Sequence, residues 1–270
     1  MFGSLHPHTR FDLHLHTDRS DGRFAPTEVL ERCARGGLEV VALTDHDLGP
    51  DLTPGWHDVG DRRLFLLAGA ELTGAHEGRE YHLLVYFPGQ VPAAFHALCT
   101  QQCAERRARY TAAVERLDLP GLSPPRAEAP TRLHLARDLV DAGHAPSVRH
   151  AFSRYLSQVH RKVPTMSLSF TDAIRQTRAL GGITSWAHPP MGAVEQHART
   201  FADAGLHGLE ALRPSTGSKD RRRYRRVAAK HGLFLTGGSD WHGWGDPESL
   251  GLFRVHAHEI TGFVGALAAA

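Results

Sequence analysis

Short apolar runs separated by amphipathic helical segments recur along most of this chain, and that alternation constrains its fold more than any other feature. Strand-like runs occupy 11–16, 40–44, 64–72, 81–87, 182–187, 209–212 and 234–238, with a weaker one at 251–255. Helical periodicity falls between several of them, at 26–35, 171–180, 193–204 and 219–231. The first helix opens on Pro26 and Thr27, with Glu28 in its first turn and Val29, Leu30 and Cys33 as its apolar stripe. Strands that alternate with helices imply a mostly parallel sheet with helices outside, either open and doubly wound or closed into a barrel.

The rhythm breaks once. From about 91 to 162 only helical pattern appears: a long stretch ending near Leu119, a proline-rich joint over 120–130, then helices around 132–142 and 147–157. This reads as a helical insertion of roughly 70 residues within an α/β body. The division is then 1–90 and 165–270 for the body and 91–164 for the insertion. At 270 residues, with 41% hydrophobic and 22% charged residues, the chain is long and apolar enough for one barrel-sized core and is not a disordered polymer. A net charge of +2 argues against a general nucleic-acid coat, so no stable DNA binding is expected. Cys33, Cys99 and Cys103 cannot build a disulfide framework, which makes a reducing cytoplasm the expectation. The opening MFGSLHPHTRFDL lacks the basic and apolar regions of a secretory signal. No apolar run approaches the ~20 residues that cross a bilayer.

The chain holds 20 histidines, so any metal chemistry falls to imidazole and carboxylate. An H-x-H pair on a strand points both rings to one side. Random placement already predicts about 1.5 such pairs, and His6/His8, His14/His16 and His256/His258 are present. The first and last read as exposed terminal segments. The middle pair differs, because it leaves a strand and runs into a Ser20-Asp21-Gly22 turn, where α/β proteins place their sites. Other strands also end or break on polar residues: Asp45-His46-Asp47, Glu71 amid apolar neighbours, His82, His188, and Asp240 with His242. A lone buried carboxylate such as Glu71 needs a partner or a metal. Each residue alone reads more simply as a hydrogen-bonded core group or a turn cap; the convergence carries the argument.

Taken together, the segments FDLHLHTDRSDG, VVALTDHD, GAEL, YHLLVY, WAHP and GGSDWHG resemble, in order, the PHP (polymerase and histidinol phosphatase) phosphoesterases. The resemblance implies a distorted (β/α)₇ barrel whose mouth holds two or three divalent ions. By it His14, His16, Glu71 and Asp240 hold the first ion; Glu71, His82 and His188 the second; Asp21, His46 and His242 the third. Such mixed ligands suit manganese above all, or iron or zinc, rather than magnesium or calcium. Bridged ions activate a shared water, and a bridging hydroxide then attacks phosphorus. Asp12 and Asp45 are expected behind the ligands, orienting imidazoles or serving as buried structural acids.

The insertion, with TRLHLARDLV and FSRYL, resembles that of a PHP branch acting on nucleoside 3′,5′-bisphosphates and on the 5′ ends of short RNA. By that similarity Arg132 and His134 clamp a substrate phosphate and join Glu71 and Asp240 as the catalytic set, while Arg137 either binds substrate or is a surface ion-pairing residue. The chain departs from the branch at 160–164, HRKVP, where a turn with Gly and Tyr is usual. The partner implied is a small phosphorylated compound, a nucleotide or short RNA, with no membrane. Three other readings compete: a histidinol-phosphate phosphatase, whose relatives generally lack this cap; a non-catalytic metal-binding module, which would be expected to miss ligands; and an amidohydrolase, which usually wants a lysine where Glu71 stands. Arg221, Arg222, Arg223, Arg225 and Arg226 read as a solvated helix face, and the Cys99/Cys103 pair does not read as a zinc knuckle.

Overall fold

The computed structural model describes residues 2–157 and 162–270. Its strands are β1 (Arg10–Leu15), β2 (Val40–Leu43), β3 (Gly55–Val59), β4 (Arg62–His76), β5 (Arg79–Phe87), β6 (Ile183–Trp186), β7 (Gly208–Leu212), β8 (Phe234–Gly237) and β9 (Val255–His256). The helices are α1 (Pro26–Arg35), α2 (Ala93–Leu117), α3 (Arg132–Asp141), α4 (Val148–Ala151), α5 (Phe170–Ala179), α6 (Met191–Asp203), α7 (Ser218–His231) and α8 (Thr261–Ala269), and a π-helical turn over Phe152–Leu156 follows α4. Seven strands pair side by side in the order β8-β7-β6-β5-β4-β2-β1, with β9 beyond β1 and β3 against β4.

The ring nearly closes. Beyond β8, Asp240 N donates to His14 O (2.9 Å) and His16 N to Trp241 O (3.0 Å), which links the chain after β8 to β1. Glycine is required at 238 for that approach, since a Cβ there would lie 2.4 Å from the His14 Cβ. The α/β barrel of the expectation is therefore present, with two differences. The sheet is less parallel than the alternation suggested: β5 runs antiparallel to both β4 and β6. The cause is local, because Glu77 (φ 48°) and Gly78 (φ 71°) form a two-residue hairpin turn in place of a crossover helix. Strand β3 was not anticipated; it is a short edge strand, and the weak run at 251–255 shrinks to β9.

Side-chain alternation builds the interior. On β4, Leu67 and Glu71 share a face, as do His82, Leu84 and Tyr86 on β5. Leu67, Leu84, Tyr86 and Leu212 pack together with Phe263 of α8, which leaves the polar members of the same faces at the opposite end. The outward residues Leu72, Tyr81, Leu83, Val85 and Trp186 pack under Phe170 of α5 and Phe201 of α6. A separate apolar cluster of Tyr110, Ala113, Leu117, Leu135, Ala136, Leu139, Ala151 and Leu156 joins α2, α3 and α4, whereas Phe95 and Cys99 at the start of α2 pack into the barrel.

Candidate metal and phosphate site

The strand ends bring all nine sequence-assigned ligands to one place. Glu71, fully buried on β4, is the hub. Its Oε1 lies 3.3 Å from His14 Nε2, 3.0 Å from His82 Nδ1 and 3.0 Å from His188 Nε2; its Oε2 lies 2.9 Å from His46 Nδ1 and 3.3 Å from His16 Nε2. Asp240 Oδ1 stands 3.4 Å from His14 Nε2 and 3.3 Å from His16 Nε2. Asp21 faces His242 at 3.1 Å, His46 at 3.6 Å and His16 at 3.7 Å. Two of these residues sit on left-handed backbone, His188 (φ 29°) and Asp240 (φ 55°), a conformation that costs roughly 1–3 kcal/mol and is typical of functional sites.

The donor set fits divalent cations. Around one ion with ligands about 2.0–2.1 Å away, ligand atoms lie about 3.3 Å apart, the spacing observed here. Potential ligand atoms fall into overlapping groups within 4.8 Å: His14, His16 and Asp240; His14, Glu71 and His188; His46, Glu71 and His82; and His16, Asp21, His46 and His242. His16 thus borders the third group as well as the first. Glu71 Oε2 and His46 Nδ1 come within 2.9 Å, yet neither is aligned for a hydrogen bond; both lack a hydrogen-bond partner among the described residues, as does Asp21 Oδ1. Buried polar atoms left in this way converge on a common centre. The charges agree. Burial would push Glu71 up, but His46, His14 and His82 hold it well below the usual carboxylate range. Burial opposes protonation of His16, but Asp240 and Glu71 lift it to about 10, while burial wins at His46 and lowers it to about 4.

Of the two roles expected for Asp12 and Asp45, the structure gives them that of buried structural acids. Asp12 accepts no hydrogen bond from an imidazole of a described residue: its carboxylate accepts from the backbone N–H of His14 (3.3 Å) and Ser239 (2.9 Å), lacing β1 to the chain after β8, and burial raises it to about 7. Asp45 accepts from Thr17 N (2.8 Å), Thr17 Oγ1 (2.6 Å) and Ser20 Oγ (2.5 Å), so it shapes the loop after β1. The imidazole support comes instead from Glu210, which the sequence reading passed over. It is fully buried on β7, accepts from His14 Nδ1 (2.9 Å), and takes the His188 N–H on its other oxygen (2.7 Å). An acid inside the apolar GLEAL strand is the same signal that singled out Glu71 in GAEL. Asp47, noted only among the polar strand ends, and Arg106, not noted, also act in support: Arg106 of α2 is buried, ion-paired to Asp47, and donates to Thr73 Oγ1 (2.6 Å), pinning α2 over the barrel mouth.

A cavity of 120 Å³ opens on the cluster, lined by Asp21, His46 and His82 below and by Arg106, Arg109 and Arg132 above. The Arg132 side chain makes no hydrogen bond to a described residue, and its charge acts on neighbouring Glu80 and Arg109. Its guanidinium also lines an adjoining 470 Å³ cavity with Arg109 and Arg116. His134 and Arg137 are not in the lining of the first cavity. His134 Nδ1 accepts from Thr131 N (3.1 Å) at the start of α3, and Arg137 stacks on Trp244, 3.2 Å from its ring centroid. Trp244 Nε1 in turn donates to Asp21 O (2.6 Å). The two terminal H-x-H pairs meet each other, with His8 ring centroids 5.9 Å from His256 and 5.3 Å from His258. Arg222, Arg225 and Arg226 are exposed on α7. Of the departing segment 160–164, residues 160 and 161 lie outside the described residues.

An α/β barrel that gathers imidazoles and carboxylates at its strand ends, under an arginine-lined cavity, defines a metal-dependent phosphoesterase. The comparisons agree. The PHP domain family matches residues 12–103. The chain is 30% identical to a 3′,5′-nucleoside bisphosphate phosphatase of Chromobacterium violaceum over 250 residues, covering 87% of this chain and 88% of that one. It is 28% identical to the 5′-3′ exoribonuclease Rnm of Salmonella typhimurium, covering 86% and 85%. A solved structure from Bifidobacterium adolescentis, assigned as a metal-dependent phosphoesterase, superposes with a TM-score of 0.71 at 30% identity, covering 88% and 89%. The chain belongs to the PHP family and is a hydrolase. Among the described residues no helix is long and apolar enough to cross a membrane.

Proposed function

We propose that this hydrolase cleaves phosphate esters of nucleotide-like substrates, removing phosphate from a nucleoside 3′,5′-bisphosphate, releasing nucleotides from the 5′ end of a short RNA, or both. The observation that carries this reading is the placement of Arg132 in the cavity that also bears Asp21, His46 and His82. Arginine offers a planar fork to phosphate oxygens and keeps its charge. Thr131, Arg132 and Leu133, the first turn of α3, line that cavity, and a helix N-terminus favours an anion. The adjoining cavity, with Arg109 and Arg116, offers room for the rest of a nucleotide.

Two or three divalent ions, manganese before iron or zinc, would be held as the resemblance assigns them, with Glu71 as the bridge. When bound, they supply Lewis acidity and lower the pKa of water. The protein's own part is to hold that arrangement. Glu210 fixes His14, and Arg132 binds and orients the phosphate. His134 acts as a positioning residue, through its bond to Thr131 at the root of the helix that carries Arg132. Arg137, stacked on Trp244, would reach substrate only from the cavity rim. Residues 1–90 and 165–270 form the barrel and 91–164 the cap in this reading, and the free thiols Cys33, Cys99 and Cys103 accord with a reducing cytoplasm.

The test is manganese-dependent release of phosphate from adenosine 3′,5′-bisphosphate and of nucleoside 5′-monophosphate from a 5′-phosphorylated RNA trimer. Glu71→Ala is expected to lower kcat/KM by at least about 10³-fold, and Arg132→Ala by about 10–100-fold through a lost charged hydrogen bond. Equal rates for wild type and Glu71→Ala would end the proposal.

A further inference from the structure

Apart from the strand-end cluster, one more group of metal-ligating side chains exists among the described residues: His76, Glu77 and His197, whose potential ligand atoms lie within 4.8 Å of one another. The hairpin between β4 and β5 supplies the first two, and α6 the third. His76 is an odd number of residues from Glu71 on the same strand, so it points to the outer face of the barrel and not into the mouth. At about 3.3 Å per residue along a strand, the two groups lie roughly 16 Å apart. They are separate places.

The internal chemistry of the trio is unfinished. His197 is 6% exposed, yet its ring makes no hydrogen bond to any described residue, and the same holds for the ring of His76. Glu77 reaches toward both, with Oε1 3.9 Å from His76 Nε2 and Oε2 3.9 Å from His197 Nε2, too far for a hydrogen bond in either case. The two imidazoles meet edge to face at 4.8 Å. The ring nitrogens of both histidines make no hydrogen bond to a described residue, and here potential donor atoms converge from two elements to within 4.8 Å of one another. Burial and the neighbouring His76 keep His197 below its ordinary value, so it presents the neutral form that binds metal.

We propose that His76, Glu77 and His197 form a second, peripheral divalent-cation site of zinc class, which clamps the β4–β5 hairpin to α6. Two imidazoles and one carboxylate, with a fourth position open to water, is a set zinc accepts in tetrahedral geometry. Contraction of about 0.6 Å brings the 3.9 Å separations to the spacing of ligands around one ion. The carboxylate of Glu77 supplies the charge that offsets nearby Arg79, and Phe201 backs both imidazoles, at 4.9 Å from His76 and 5.7 Å from His197.

Zinc bound per chain, measured by equilibrium dialysis of metal-stripped protein, tests this with Glu77→Gln and His76→Gln. Both changes lie on the hairpin, away from the strand-end cluster, so phosphatase activity with manganese should stay within twofold of wild type. Each variant should bind one zinc fewer than wild type, and crystals soaked in zinc should show an anomalous peak between His76 and His197. Unchanged zinc stoichiometry in both variants, or no peak there while the strand-end cluster carries one, would overturn the proposal. Thermal melts of each variant confirm that any lost zinc is not lost fold.

Discussion

Glu210 shows at the scale of one residue how this site is built. Its two carboxylate oxygens hold His14 by the ring and His188 by the backbone, so it sets both the tautomer of one ligand candidate and the position of another. Replacing it with glutamine leaves one acceptor and turns the other contact into an amide facing a donor. Glu210→Gln should therefore weaken metal affinity by about 10–100-fold. Titrating activity against manganese would reveal this as a rightward shift in midpoint with much of the maximal rate recovered at saturation; an unchanged midpoint would refute it. His207 gives a second test, remote from the cluster. Its Nδ1 accepts from Thr184 N (3.2 Å), which requires the neutral ring, and burial with nearby Arg178 holds it below its ordinary value. A depressed folded-state pKa means that the unfolded chain takes up the proton first as pH falls below about 6.5. The stability His207 contributes is thus complete above that pH and is lost on acidification through the folded-state pKa. Urea midpoints between pH 7.5 and 5.5 should fall less in His207→Asn than in wild type, and parallel slopes would dismiss the argument.

At the scale of elements, α2 carries the most information, and part of it lay in the sequence unread. Its buried residues run Phe95, Cys99, Gln102, Arg106, Tyr110, Ala113 and Leu117, an unbroken helical stripe with two polar members at its centre. A polar break in such a stripe marks the place where a helix leaves one apolar partner for another. Here the early turns pack on the barrel and the late turns on the insertion cluster. Among the arginines of ERRARY, register alone separates buried Arg106 from its exposed neighbour Arg107; what register could not supply was the partner, Asp47, 59 residues away. Arg106→Met leaves the Asp47 carboxylate buried and unpaired, at a cost of about 3–5 kcal/mol. Pairing it with Asp47→Asn should recover a large part of that loss. Urea unfolding of the two single variants and the double variant measures the coupling, and additive losses would show that the pair does not hold the helix down.

For the whole molecule, the sequence made the strand ends legible because chemistry repeats there: polar residues interrupt apolar runs at His14, Glu71, His82 and His188, and all of them meet. Less legible was whatever depends on tertiary neighbours. The antiparallel β5 follows from a turn of two residues, the edge strand β3 from pairing with an overlong β4, and the true contacts of Asp12 from a barrel seam that only the closed ring creates. That seam ties the global fold to the site, since His14 and Asp240 lie on its two sides, joined by one backbone hydrogen bond of 2.9 Å. Cations held by ligands from both sides would stabilise the folded state as a whole, because the unfolded chain scatters those ligands along more than 200 residues. At a free concentration about 1,000 times the dissociation constant, such binding contributes about 4 kcal/mol. For a chain of this size each kcal/mol moves the melting temperature by about 2–4 °C. Chelation with EDTA should lower Tm by roughly 8–16 °C and abolish hydrolysis together, and manganese should restore both. A Tm indifferent to EDTA, in protein shown to have lost its metal, would mean that the barrel seam closes without help from the site it carries.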